Sequence, residues 1–128
     1  MSDSSEAEAN EVCLVDDDLS VLRSMQYLLA SDGLKVRAFN KPAEFLAHAA
    51  THRVPVVVTD IWMDGVTGLE LLARLCAISP RTKVIVITAR EDLAARATAM
   101  AIGPVAFFIK PFDDEKFICA VRDALNRV

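Results

Sequence analysis

The chain has 128 residues, of which 53% are hydrophobic and 25% charged, a composition that excludes an intrinsically disordered chain. With 4 Gly and 5 Pro it is no collagen-like scaffold, and its length suits one domain with a core of its own. Lys and Arg number 14 against 18 Asp and Glu, a net charge of −4, so the basic footprint of a nucleic-acid binder is missing and direct nucleic-acid binding by this chain is not expected.

Residues 1–10, MSDSSEAEAN, read as a disordered acidic tail without the basic and apolar regions of a secretory signal. The first apolar run is Val12–Val15. Leu19, Leu22, Met25 and Leu29 follow at helical spacing, with Asp18 placed to cap that helix. The second run is Leu34–Phe39 and the third Val56–Thr59. Leu69, Leu72 and Leu75 mark another helix, which Ser79-Pro80 stops. The fourth run is Val84–Thr88. Glu91–Ile102 after it is Ala-rich with few large apolar residues, the pattern of a weakly anchored helix. The fifth run, Val105–Ile109, precedes a last helix carrying Phe117, Val121 and Leu125. Asp113, Asp114 and Glu115 at its start, and Arg122 and Arg127 towards its end, suit the helix dipole.

Four runs (12–15, 56–59, 84–88 and 105–109) are nearly continuous rather than alternating, as parallel strands buried on both faces are. Five βα units in one small domain predict an α/β fold, a flavodoxin-like doubly wound (βα)5 sandwich with a five-stranded parallel sheet of order 2-1-3-4-5. No run approaches the ~20 apolar residues of a membrane span. Cys13, Cys76 and Cys119 are scattered and odd in number. They are expected as small core residues, which fits a reducing, cytoplasmic setting. His48 and His52 flank a helix end and a turn and read as surface residues.

In open α/β sheets ligands bind outside the carboxyl ends of the strands. Asp16, Asp17 and Asp18 follow the first run, Asp60 the third, Thr88 ends the fourth and Lys110 follows the fifth. Each alone has a plain explanation: a helix cap, a solvated loop residue, a strand-end Thr, a surface Lys. Together they bring carboxylates, a hydroxyl and an ammonium to one edge. Clustered carboxylates repel, and a cation relieves the repulsion. The donors are all hard oxygens, which suits Mg2+, with Mn2+ able to substitute, rather than Zn2+. Asp is also a nucleophile that forms aspartyl phosphates.

The stretches Leu14-Val15-Asp16-Asp17-Asp18, Val57-Val58-Thr59-Asp60-Ile61-Trp62-Met63, Gly68-Leu69-Glu70-Leu71-Leu72, Val86-Ile87-Thr88-Ala89 and Phe108-Ile109-Lys110-Pro111-Phe112 resemble, in order, the receiver (CheY-like) domain of bacterial two-component response regulators. The resemblance covers residues 11–128 and is nearest the subgroup with helix-turn-helix output domains. It implies Asp60 as phosphoacceptor for a histidine kinase or phosphotransfer protein. It implies Asp16, Asp17, Asp60 and the carbonyl of Trp62 around Mg2+, with Lys110 beside the phosphoryl group. Thr88 and Phe107 would form the switch, and the Lys110-Pro111 bond would be cis. Output would pass through the face of the fourth helix, fifth strand and fifth helix, which is also the expected homodimer face. Such a domain phosphorylates and dephosphorylates itself rather than turning over as an enzyme.

Three positions depart from the family pattern. Asp64 and Gly65 stand where Pro usually follows Met63, and Pro104 follows Gly103 where Ala is usual. Trp62 and Arg90 lie two residues beyond Asp60 and Thr88, where the family sets its rate of phosphoryl loss. A bulky Trp62 implies slow loss. Two other readings compete. Asp64-Gly65-Val66-Thr67 echoes a haloacid-dehalogenase phosphatase loop, but Trp62 stands where that loop needs its other Asp. A receiver-like binding module independent of phosphorylation is the second, and the intact Asp16, Asp17, Asp60, Thr88 and Lys110 weigh against it.

Overall fold

The structure is a computed structural model, and residues 11–63, 67–89 and 92–126 are described. The elements alternate as β1 (Glu11–Val15), α1 (Leu19–Ser31), β2 (Lys35–Phe39), α2 (Pro42–Thr51), β3 (Val56–Asp60), α3 (Gly68–Ile78), β4 (Lys83–Thr88), α4 (Leu93–Ile102), β5 (Ala106–Ile109) and α5 (Asp114–Asn126). The strands form one parallel sheet of order β2-β1-β3-β4-β5, the doubly wound arrangement expected. The expected tail at residues 1–10 lies outside the described residues.

Side chains alternate across a strand, so each central strand feeds two cores. Cys13, Val15, Val57, Val84 and Val86 pack under Phe45 and Leu46 of α2, Leu71, Leu72 and Leu75 of α3, and Ala95 and Ala99 of α4. Val12, Leu14, Val56, Val58, Ile85 and Ile87 pack on the other face, under Leu22, Met25 and Leu29 of α1 and Phe117, Val121 and Ala124 of α5. Both faces of β1, β3 and β4 are covered, which is why those runs are apolar throughout.

Local chemistry sets the helix ends. Asp18 accepts hydrogen bonds from the N–H groups of Ser20 and Val21 at the start of α1. Thr67 and Asp92 cap α3 and α4 in the same way. α3 ends at Ile78, before Ser79-Pro80. α4 buries only Ala95 and Ala99, leaves Leu93 and Met100 exposed, and ends at Gly103 with φ 102°, a left-handed backbone suited to Gly. Its weak anchoring follows from small residues on the buried face.

Three expectations are corrected. The run 105–109 is not buried on both faces: β5 is an edge strand, and its residues are all half-buried. Only Cys13 is a core residue, because it lies on the central β1, whereas Cys76 and Cys119 lie on the solvent faces of α3 and α5 and are exposed. Arg122 does not serve the end of its own helix. Its Nε donates to Asp32 Oδ2 at 2.7 Å and its guanidinium to the Asp32 carbonyl at 2.6 Å. Asp32 is the C-cap of α1, so the cation sits at the negative end of a neighbouring helix. Arg127 lies outside the described residues.

Candidate functional site

The C-terminal ends of β1, β3, β4 and β5 meet at one edge of the sheet, since parallel strands share their direction. Asp16 directly follows β1 and is held there by its N–H, which donates to the Phe39 carbonyl at 3.2 Å and extends the pairing with β2. Its Oδ1 accepts from the N–H of Asp18 at 2.9 Å. Asp60 is the last residue of β3, and its Oδ1 accepts from the N–H of Trp62 at 2.9 Å. Lys110 follows β5. Its Nζ donates to Asp60 Oδ2 at 3.1 Å and to Asp16 Oδ2 at 3.4 Å. Its backbone N–H donates to the Thr88 carbonyl at 2.7 Å, which ties the ends of β4 and β5 together. The Lys110-Pro111 bond is cis, as expected.

Of the residues read from the sequence, Asp16, Asp60 and Lys110 are thus in direct contact, and Thr88 joins them through the backbone. Asp16, Asp60 and Thr88 are buried, while Asp17 is exposed at the rim beside Asp16. Alternation along β4 puts Thr88 on the same face as Val84 and Val86, the face on which Phe107 packs. Phe107 is half-buried, and the Arg96 guanidinium lies over its ring at 5.1 Å from the centroid. Trp62 is half-buried against the same core. Asp64, Gly65 and Arg90 lie outside the described residues. Gly103 and Pro104 form the turn that ends α4.

The electrostatics are unbalanced. Burial pushes the Asp16 carboxyl above its ordinary value of 3.8; the hydrogen bond from Asp18 and the charge of Lys110 pull it down, and the charge of Asp60 adds to the rise. One ammonium faces two buried carboxylates, with Asp17 nearby. Among the described residues the available donors are carboxylate and carbonyl oxygens, without sulfur or imidazole. That set fits a hard cation such as Mg2+, which would remove the excess negative charge.

Gly68 contributes without any reactive group. A Cβ there would lie 2.2 Å from the Asp60 carbonyl oxygen and 2.5 Å from Ile61 Cα. Its N–H donates to the Ile61 carbonyl at 2.8 Å. The start of α3 therefore lies directly on the backbone that carries Asp60, and only Gly allows that approach. The sign of it in the sequence is a Gly at the first position of an otherwise strong helix.

The model of the response regulator receiver domain family matches residues 12–122. Among curated proteins, the chain is 40% identical over 120 residues to the transcriptional regulatory protein FixJ of Azorhizobium caulinodans, covering 94% of this chain and 57% of that protein. It is 35% identical over 115 residues to the DNA-binding transcriptional regulator NtrC of Escherichia coli, covering 90% of this chain and 24% of the relative. The chain therefore spans little more than half of the one relative and about a quarter of the other. Among solved structures, FixJ-N superposes with a TM-score of 0.85 at 35% identity, covering 92% of this chain and 94% of that one. The beryllofluoride-activated NtrC4 receiver domain dimer gives 0.85 at 27% identity, covering 92% and 98%.

Proposed function

The chain belongs to the response regulator receiver family, the phosphorylation-dependent input domains of two-component signalling, and on that premise we propose that Asp60 is its phosphoacceptor. The observation that carries this is the pairing of Asp60 with Lys110 at 3.1 Å, at the strand edge where Asp16 also converges.

The Trp62 N–H orients the Asp60 carboxylate through Oδ1. A carboxylate oxygen of Asp60 attacks phosphorus in line with the leaving group. The new O–P bond makes an aspartyl phosphate as the bond to the donor breaks. With a phosphohistidine donor, the leaving imidazole carries away the electron pair of the broken P–N bond and takes a proton from solvent. Lys110 stabilises the charge on the phosphoryl oxygens and keeps its own proton throughout. Asp16, Asp17, Asp60 and the Trp62 carbonyl would hold Mg2+, or Mn2+ in its place, which supplies further neutralisation of that charge.

After transfer, Thr88 donates its hydroxyl to a phosphoryl oxygen, and Phe107 turns into the space on its side of the sheet. Phe107 and Thr88 lie on one face, and the weakly held α4 covers part of that face. The two states differ in their α4-β5-α5 surface, which mediates homodimerisation or partner binding. The donor is a histidine kinase or a phosphotransfer protein. FixJ and NtrC are transcriptional regulators, so we take transcription, through a fused or separate domain, as the output.

Intact mass after incubation with acetyl phosphate and Mg2+ tests the acceptor. The wild-type chain should gain one phosphoryl group, about 80 Da, and Asp60→Asn should gain none. No gain with acetyl phosphate or with a kinase donor would instead support a phosphorylation-independent binding module.

A further inference from the structure

At the far end of the sheet from Asp60, three side chains of different chemistry converge. Glu11 and Cys13 lie two apart on β1 and so point to the same face, the one covered by α2. His48, in the last turn of α2, reaches the same place. A carboxylate oxygen of Glu11, Sγ of Cys13 and a ring nitrogen of His48 all lie within 4.8 Å of one another. None of them takes part in the phosphoacceptor site.

We propose that Glu11, Cys13 and His48 form a second metal site, for Zn2+ or a divalent ion of similar softness. Sulfur, imidazole and carboxylate are the ligands Zn2+ takes. Bonds of about 2.0–2.3 Å in a tetrahedral shell put ligand atoms roughly 3.3–3.7 Å apart, so a contraction of at most about 1.5 Å closes the site. The half-buried Glu11 and His48 can make that movement and leave a path for the ion, while Cys13 is fixed on the central strand.

Neighbouring rings orient the His48 ring and still permit the small in-plane shift that closing the site needs. The His52 ring stacks on it at 4.2 Å and 12°, and the Phe39 ring tilts against it at 5.3 Å. Such support around a ligand limits the ordering needed on binding. The Arg37 guanidinium, 3.0 Å from Glu11, is about half exposed. Glu11 itself is only 18% exposed, so a dication on its carboxylate must replace the Arg37 charge there, and the half-exposed Arg37 side chain can turn out to solvent as it does so. As the metal–sulfur bond forms, the Cys13 thiol gives its proton to solvent, and nothing is oxidised or reduced. Water supplies the fourth ligand. The chain would then sort metals by softness, with hard oxygens at one pole and a sulfur–nitrogen–oxygen set at the other.

Titration with Co2+ in excess Mg2+ tests this, because Mg2+ occupies the oxygen site and only a thiolate ligand gives cobalt an intense near-ultraviolet charge-transfer band. The band should saturate at one equivalent. It should disappear in Cys13→Ala and in His48→Gln, and persist in Cys76→Ser, Cys119→Ser and Asp60→Asn. Because His48 is half-buried, His48→Gln leaves the core intact, and circular dichroism checks that it does. Absence of the band in the wild type, its survival in a folded His48→Gln, or its loss in Cys76→Ser or Cys119→Ser would overturn the site.

Discussion

Lys110 and Asp60 stand 50 residues apart in the chain and 3.1 Å apart in space. The same ammonium reaches Asp16 at 3.4 Å, 94 residues away. One cation thus holds the ends of β1 and β3 to the residue that follows β5. Removing it should cost stability as well as phosphoryl transfer. Lys110→Met in EDTA is expected to lose about 1–3 kcal/mol in urea unfolding, because two buried carboxylates lose their partner. The loss should shrink in the Asp16→Asn background, where one of those carboxylates is gone, and a double-mutant cycle reads the difference.

Asp16→Asn alone should raise the urea midpoint at neutral pH while abolishing Mg2+ affinity. Burial places the Asp16 carboxyl above its ordinary value in the folded state, so the folded chain holds that proton more tightly than the unfolded one. The resulting stabilisation is complete below the unfolded pKa and is lost as pH rises through the folded one. Wild type should therefore lose stability over that rise and the Asn variant should not. Unfolding curves from acid to neutral pH in EDTA check it, and parallel profiles for the two proteins would refute it.

Gly68→Ala should destabilise by about 1–3 kcal/mol, against the gain of up to about 1 kcal/mol that helix propensity alone assigns to Gly→Ala. The added Cβ meets the backbone of Asp60 and Ile61, which cannot swing aside as a flexible side chain would. Because the strain falls on the segment carrying Asp60, phosphorylation by acetyl phosphate should slow in the same variant. A more stable Gly68→Ala protein would show that the contact is not as tight as 2.2 Å implies.

The three cysteines should separate by reactivity. Cys76 and Cys119 are exposed and should alkylate in the native protein near pH 8. Burial pushes the Cys13 thiol up to about 12, with the charge of Glu11 adding to the rise, so in metal-free protein it should react only on unfolding. Mass spectrometry should count two additions under native conditions and three in denaturant.

Trp62→Gly should speed phosphoryl loss several-fold on the proposal that the indole two residues beyond Asp60, half-buried against the core, shields the phosphoryl group from water. Thr88→Ala should still accept the phosphoryl group but respond weakly in dimerisation or partner binding. Decay of the added mass and sizing of the phosphorylated protein follow the two effects separately.

Much of this was legible before the fold was known. The continuous apolar runs at 12–15, 56–59 and 84–88 marked central strands, because a strand covered on both faces has no polar position to show. Asp16, Asp60, Thr88 and Lys110 could be grouped because every βα unit delivers its strand's end to the same edge. Residue type and local spacing suffice for both steps.

What the sequence could not determine depends on which elements become neighbours. The run 105–109 is as apolar as a central strand, yet among the described residues it pairs with β4 alone and lies at the edge of the sheet. Cys13 and Cys76 are the same residue, and only position on β1 or on the outer face of α3 separates inert from reactive. Arg122 found Asp32 on another helix, and Gly68 found the backbone of Asp60. Glu11, Cys13 and His48 meet only because α2 lies across β1. Periodicity and capping are local and read along the chain; contacts between distant segments come from sheet order and helix packing, which the tertiary structure alone decides.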